Sequence, residues 1–387
     1  MDTHDLVVVG AGPAGAVAAL HALALRPGAS VLLLDARDFP RDKTCGDGVA
    51  AEVFDLLDDL GVTGVRELGL EVPMLRLRTP GGRVAHRAAP RPNRVVPRRW
   101  FDAALVDAAV HAGAELRRHR VRELTDDGDR IVLDGTLAGR AVVGADGAHS
   151  VVRRALGGPA PRPADTAVAI RGYAPVAADA ETLTIEFAAG PHPAYAWSFP
   201  VPGGGANVGY GVFHRDGAGS RAELLARLAA LLPGQVPDPA TLRAHHLPLS
   251  TSPRVQPDGR VLLAGDAAAA VNPLTGEGIF DAVASGLLAG RNALRGAGAG
   301  AAQRASMERA FGRHQRHVGA LARLAVRPGF LDAAIGAAAA HRTVFDCAVR
   351  LGLGRGTVSP AALALVAGRL PSAVIRAHRR ARGGAVR

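Results

Sequence analysis

The first residues able to do chemistry are three glycines. Gly10-Ala11-Gly12-Pro13-Ala14-Gly15 follows an apolar run, Leu6-Val7-Val8-Val9, and leads into a helical stretch. In that setting Gly10 permits a tight turn, Gly12 lets the backbone approach a pyrophosphate, and Gly15 allows close packing of helix on strand. Ala14 opens the helix, whose free N–H groups and positive dipole end favour phosphate. Asp35 closes a second apolar run, Val31-Leu32-Leu33-Leu34, 20 residues after Gly15. A carboxylate there accepts hydrogen bonds from ribose hydroxyls. Gly10, Gly12, Ala14, Gly15 and Asp35 are expected to hold a dinucleotide. The motif alone does not separate NAD from FAD.

Other side chains leave more open. Cys45 sits in a polar, glycine-flanked loop, Phe39 to Val49, with Arg41 and the only lysine, Lys43. By residue type Cys45 is either a functional thiol or a small buried hydrophobe. Arg41 and Lys43 bind phosphate or an acidic head, or are solvated loop charges. Tyr195 and Trp197 line a cavity or pack a sheet. His314 and His317 stand three apart on a helix without further ligands, so a solvated face and no metal site are expected. His245 and His246 are expected at the surface, and Cys347 in a helical core.

The elements that must position these residues follow from periodicity. Leu6 to Val9 is a buried parallel strand, Ala14 to Leu25 a helix and Val31 to Leu34 a second strand. Helices are expected over Glu52–Leu60, Phe101–Ala112, Arg221–Leu232 and Gly276–Leu294, the first two stopped by Gly61 and Gly113. Glu115–Val121, Ala141–Val143 and Arg260–Ala264 read as strands returning to the first sheet. Two strand-like runs flank Pro80-Gly81-Gly82. Thr166–Tyr173, Thr182–Phe187, Tyr195–Phe199 and Ala206–Phe213 are short strands between Pro/Gly turns, the texture of an antiparallel sheet. The fold class is α/β: a Rossmann-like dinucleotide-binding domain interrupted by an antiparallel β-sheet substrate domain, with a helical C-terminal extension. Residues 1–67, 98–155 and 256–300 are assigned to the first, 68–97 and 156–255 to the second, and 301–387 to the extension.

Composition narrows the class. The 387 residues are 48% hydrophobic, enough for one or two cores. The net charge is +11, but arginines are spread along the chain and aromatic platforms are scarce, which argues against nucleic acid. The one dense basic run, Arg376 to Arg382, is either a frayed soluble end or a contact for anionic lipid heads or an acidic carrier. Two cysteines form no disulfide framework, so a reduced, cytoplasmic setting is expected. No signal peptide is read at the N-terminus, and no run of 18 apolar residues occurs, so any membrane contact would be at the surface.

Two later segments carry a family resemblance. Gly144-Ala145-Asp146-Gly147-Ala148-His149-Ser150 is similar to the Asp-Gly motif of the flavin hydroxylase superfamily, and Arg260 to Ala268 resembles its second flavin motif. The resemblance implies FAD, with Asp266 on a ribityl hydroxyl. Asn272 to Ile279 then opens a helix whose start, Gly276, Gly278 and Ile279, faces the flavin pyrimidine edge, where N–H groups stabilise the charge left by reduction. Arg98-Arg99-Trp100-Phe101-Asp102 resembles the segment whose first Arg contacts FAD. Val121 stands where a backbone pairs with adenine.

Phe39 to Val49 resembles the Arg-x-Lys-x-Cys-Gly segment of the geranylgeranyl reductase family. Tyr195-Ala196-Trp197-Ser198-Phe199-Pro200 resembles its Tyr-x-Trp-x-Phe-Pro motif. This implies that Cys45 and Gly46 lie beside the flavin and that Cys45, Tyr195 and Trp197 serve the reaction. The resemblance spans residues 1 to about 295; no motif is matched beyond. It implies reduction, or the reverse desaturation, of carbon–carbon bonds in an isoprenoid, lipid-like or secondary-metabolite substrate by hydride transfer at flavin N5. NAD(P)H is the candidate external donor.

Two other readings compete. A flavin-dependent monooxygenase or halogenase would use the same scaffold, although Lys43 lies in the reductase-like segment rather than in a halogenase lysine position. A non-enzymatic prenyl-binding chaperone would share the fold but lack intact flavin motifs.

Overall fold

The Asp2–Val9 strand is flanked on both sides, which is why its last four residues are uninterrupted Val and Leu turned inward on both faces. In a computed structural model describing residues 2–177 and 179–374, it pairs in parallel with Val31–Asp35 and with Leu137–Gly144. Val9 stands opposite Leu34 and Gly144. Gly10, Asp35 and Ala145 therefore emerge together at one edge, where ligands of doubly wound sheets bind. Glu115–Arg118 pairs with Val31–Asp35, and Val261–Leu263 pairs with Leu137–Gly144. An antiparallel flap, Leu124–Asp126 and Ile131–Leu133, completes the sheet.

The strand expected to reach Val121 stops at Arg118. Its partner ends at Asp35, whose carbonyl takes the N–H of His119, so no ladder remains beyond. Val121 lies past the strand and is buried. The expected helix from Gly276 begins at Ile279 instead, with Gly276 at φ 71° and Gly278 as its N-cap. The Phe101 helix begins earlier, at Arg98.

The Pro13–Leu25 and Ile279–Ala293 helices meet backbone to backbone. A Cβ on Gly286 would fall 2.4 Å from the Ala14 carbonyl oxygen, and one on Gly290 2.3 Å from that of Ala18. The first and last segments of the nucleotide-binding sheet are thus locked through glycine and alanine.

A second sheet runs in the order Arg243–Pro248, Thr166–Ala174, Ala206–Phe213, Ala194–Pro200, Thr182–Phe187, Leu70–Arg78, Val84–Val95, Gly48–Val49. It is antiparallel except where Thr182–Phe187 runs parallel to Leu70–Arg78, two strands joined by a long excursion rather than a hairpin. Helices Ala299–Ala325, Phe330–Ala340, Arg342–Leu353 and Pro360–Ala367 follow. Their apolar faces join Leu75, Leu183 and Val95 of this sheet in one core with Phe345 and Val366. Residues 375–387, and with them the Arg376–Arg382 run, lie outside the described residues.

Candidate flavin and substrate site

A cavity of about 1000 Å³ opens where the two sheets face each other. Gly10, Gly12, Ala14, Asp35, Cys45, Gly46, Arg98 and Val121 line it, as do Tyr195, Trp197, Asp266, Gly276, Gly278 and Ile279. Gly15 does not. A Cβ there would fall 1.8 Å from the Gly10 carbonyl oxygen, so its work is helix–strand packing.

At the nucleotide end the Pro13–Leu25 helix has no side-chain cap, and its first N–H groups are left for a ligand. A Cβ on Gly12 would meet only Arg41, at 3.8 Å, so this is open space a phosphate can enter. Asp35 Oδ2 accepts the Ala11 N–H at 3.0 Å, and Oδ1 the Arg37 N–H at 3.0 Å. Arg41 bridges Asp35, at 3.3 Å, and Asp102, at 3.1 Å. It is held by two carboxylates at the cavity edge rather than standing free in solvent.

Arg98 grips the same Asp102 with two nitrogens, at 2.6 and 2.9 Å. Burial opposes its charge, but the buried Asp102 carboxylate outweighs that and holds the guanidinium protonated. The Asp266 carboxylate borders the cavity and makes no side-chain hydrogen bond among the described residues. Gly278 lies beside it: a Cβ on this glycine would fall 3.7 Å from Asp266 Oδ1. An open phosphate cradle, two carboxylates facing the cavity and an uncapped helix start fit FAD. Residues Gly12, Asp35, Asp266 and Gly278 would hold it.

The Cys45 loop is fixed from the opposite sheet. Asn207 donates to the Cys45 carbonyl at 2.8 Å and to Asp47 Oδ2 at 2.8 Å, and accepts from the Trp197 indole at 3.0 Å. Tyr173 donates to Asp47 Oδ2 at 2.6 Å, and the Arg98 N–H to Oδ1 at 3.3 Å. Asp47 is fully buried, which pushes its carboxyl up to about 6 despite these donors. Burial likewise pushes the Cys45 group up against the pull of Arg98, so it stands as a neutral thiol. Trp197 is packed between Gly46 and Gly209. The Tyr195 hydroxyl donates to the Thr275 carbonyl, just before Gly276.

Several residues carry more than their sequence context indicated. Glu277 borders the cavity and accepts the Phe280 N–H at 2.8 Å; burial pushes its carboxyl up to about 7. Burial lowers Lys43, against Asp266 beside it. His245 lines the cavity rather than the outer surface, because strand Arg243–Pro248 turns it inward, and burial holds it down at about 3. His314 is not on a solvated face: it is buried and bonded to the Gly356 carbonyl at 2.7 Å, while His317 takes the Val358 N–H. No group of potential metal ligands occurs among the described residues. Cys347 is buried and also borders the cavity, with its helix.

Beyond the Cys45 loop the cavity turns apolar, walled by Leu75, Leu183 and Ile185 of the sheet and by Ile335, Val344 and Val366 of the C-terminal helices.

An FAD cradle opening into a greasy chamber between two sheets defines a flavin-dependent oxidoreductase. A family profile described as FAD binding domain matches residues 3–292. Menaquinone reductase of Mycolicibacterium smegmatis is 34% identical over 308 residues, 74% of this chain and 75% of that protein. Digeranylgeranylglycerophospholipid reductase 2 of Methanopyrus kandleri is 33% identical over 311 residues, 74% and 76% of the two chains. The chain belongs to this FAD-binding family and, within it, to the geranylgeranyl reductase group. A solved geranylgeranyl bacteriochlorophyll reductase-like protein of Thermoplasma acidophilum shares the fold, with a TM-score of 0.75 and 21% identity over 97% of this chain and 98% of that one. A flavin-dependent brominase shares it too, with a TM-score of 0.67 and 17% identity over 96% and 98%. That likeness speaks for the fold alone.

Proposed function

We propose that this protein reduces isolated carbon–carbon double bonds in the isoprenoid chain of a lipid or prenylquinone. The observation that carries the reading is the continuity of the cavity from Asp266 and Cys45 to Leu183, Ile335 and Val366. A chamber of that lining accepts an extended apolar chain and excludes water. Bound FAD supplies hydride chemistry, and NAD(P)H is the proposed source of its electrons.

The residues of the chain do the rest. The start of the Ile279–Ala293 helix, where Glu277 accepts the Phe280 N–H, would turn its positive dipole end toward the place where negative charge builds on reduction. Tyr195 and Trp197 form the wall on the sheet side, and Cys45 the wall on the loop side. Glu277, with a carboxyl near neutrality, is placed to hold a proton at the cavity edge. Residues 68–97 and 156–255 act as the substrate domain, with one exchange: Gly48–Val49 pairs into the same sheet. Two free cysteines are in keeping with a cytoplasmic setting. No described helix is long and apolar enough to cross a membrane.

The test is anaerobic reduction of the bound flavin followed by rapid mixing with polyprenyl lipids or menaquinones. Reoxidation with loss of one double bond is expected, and it should proceed without oxygen. Reoxidation by oxygen alone, with hydroxylated or halogenated product, would favour the oxygenase reading instead.

A further inference from the structure

Arginines occur along the whole chain, but the excess of positive over negative charge is concentrated at one end. Residues 309–387 hold fourteen arginines against two acidic residues, Asp332 and Asp346, an excess of twelve. The whole chain carries +11, so residues 1–308 together stand at −1. The same C-terminal helices wall the apolar part of the cavity, and there wall and surface meet. Leu363 lines the cavity and is still 49% exposed. Leu324 and Val326, on either side of the cavity-lining Ala325, are 40% and 48% exposed.

The Pro360–Ala367 helix has no polar side chain at all. Ala362 and Val366 are buried against the cavity, while Ala361, Leu363, Ala364 and Ala367 are exposed. A surface helix of a water-facing protein turns a polar stripe outward, and this one does not. Arg323 and Arg327, which flank Leu324 and Val326 in sequence, are exposed and make no ion pair among the described residues. The described chain ends at this same place. A Cβ on Gly329 would fall 2.8 Å from the Ala373 carbonyl carbon and the Val374 nitrogen.

We propose that this face docks on an anionic bilayer and that the cavity draws the isoprenoid chain directly from it. The inference rests on the substrate class proposed above. An apolar patch ringed by cations is what an anionic lipid surface binds, one part by insertion and the other by charge that salt screens. A second copy of the chain is a poorer occupant, since pairing this face with itself would set arginine against arginine.

The experiment is co-sedimentation of the FAD-loaded protein with vesicles of phosphatidylcholine alone or mixed with phosphatidylglycerol, at low and high salt. Binding to the mixed vesicles should exceed binding to the neutral ones by roughly tenfold and fall with salt. Leu324→Glu/Val326→Glu and Arg323→Glu/Arg327→Glu should each lose most of it. FAD content and the reaction with a short-chain, water-soluble prenylquinone should stay as in the wild type. Wild-type protein that ignores the mixed vesicles, or variants that sediment like wild type, overturn the proposal. So does a vesicle-free dimer that the variants dissolve. If the short-chain quinone fails to reoxidise the flavin while vesicle binding behaves as described, the catalytic reading falls and the docking surface stands.

Discussion

The side-chain amide of Asn207 donates to the main-chain carbonyl of Cys45 at 2.8 Å, across 162 positions of sequence. One residue of the substrate-side sheet thereby sets where the thiol loop sits. Asn207→Leu should leave the Trp197 indole and Asp47 without their shared partner, at a cost of about 1–3 kcal/mol. It should slow flavin reoxidation by substrate, normalised to bound FAD, with FAD still present. Unchanged reoxidation in a merely less stable protein would show that the bond serves the fold alone.

Asp266 faces the cavity with no side-chain hydrogen bond among the described residues, so its removal breaks none; the charge of Lys43 beside it is its nearby counterpart. Asp266→Ala should keep the apoprotein Tm and lose FAD affinity by about 1.5–3 kcal/mol, the worth of a hydrogen bond to a charged group. Equilibrium titration with FAD measures this. Wild-type affinity in the variant would remove Asp266 from the cofactor site.

Asp47 yields a pH signature. Its folded pKa is raised from 3.8 to about 6 by burial, so the folded state binds this proton more tightly than the unfolded chain. The favourable contribution is fully present below pH 3.8 and is lost as pH rises through about 6. Asp47→Asn does not titrate. Between pH 4 and 7 the stability of wild type relative to Asp47→Asn should therefore fall with rising pH, by on the order of 2 kcal/mol. Paired denaturant melts across that range decide it, and a difference independent of pH would refute the burial effect.

Gly286 should be intolerant of any side chain. Gly286→Ala places a methyl 2.4 Å from the Ala14 carbonyl oxygen, where backbone must yield. A loss of about 1–3 kcal/mol is expected, together with weaker FAD binding, because the displaced helix start is the phosphate cradle. Thermal melts with and without FAD should separate the two effects.

How much of this was legible in the sequence depends on how local each signal is. Gly10, Gly12, Asp35 and Asp266 sit within a few residues of the turns that define them, so strand, turn and helix patterns reveal them. Asp102 and Asp47 lie inside segments legible as family signatures and Asn207 in an expected strand, but each also has a partner 51 to 162 positions away, and pairing at that range leaves no periodic trace. Gly286 and Gly290 look like weak spots in a helix until the Ala14 and Ala18 backbones are set against them. His245 stands in a strand whose register, opposite Ala169, decides which way it faces. The C-terminal helices show no motif because lining a greasy chamber asks only for apolar side chains of suitable volume.

The contact between the Pro13–Leu25 and Ile279–Ala293 helices has a consequence for synthesis. The turn that faces the phosphates is made well before the helix that braces it. At about 5–20 residues per second, roughly 15–55 s separate the two on the ribosome. During that interval the nascent cradle lacks its support, so firm uptake of the cofactor should wait for the Ile279–Ala293 helix. A shortage of flavin in the cell would then leave an incompletely closed intermediate exposed to proteolysis.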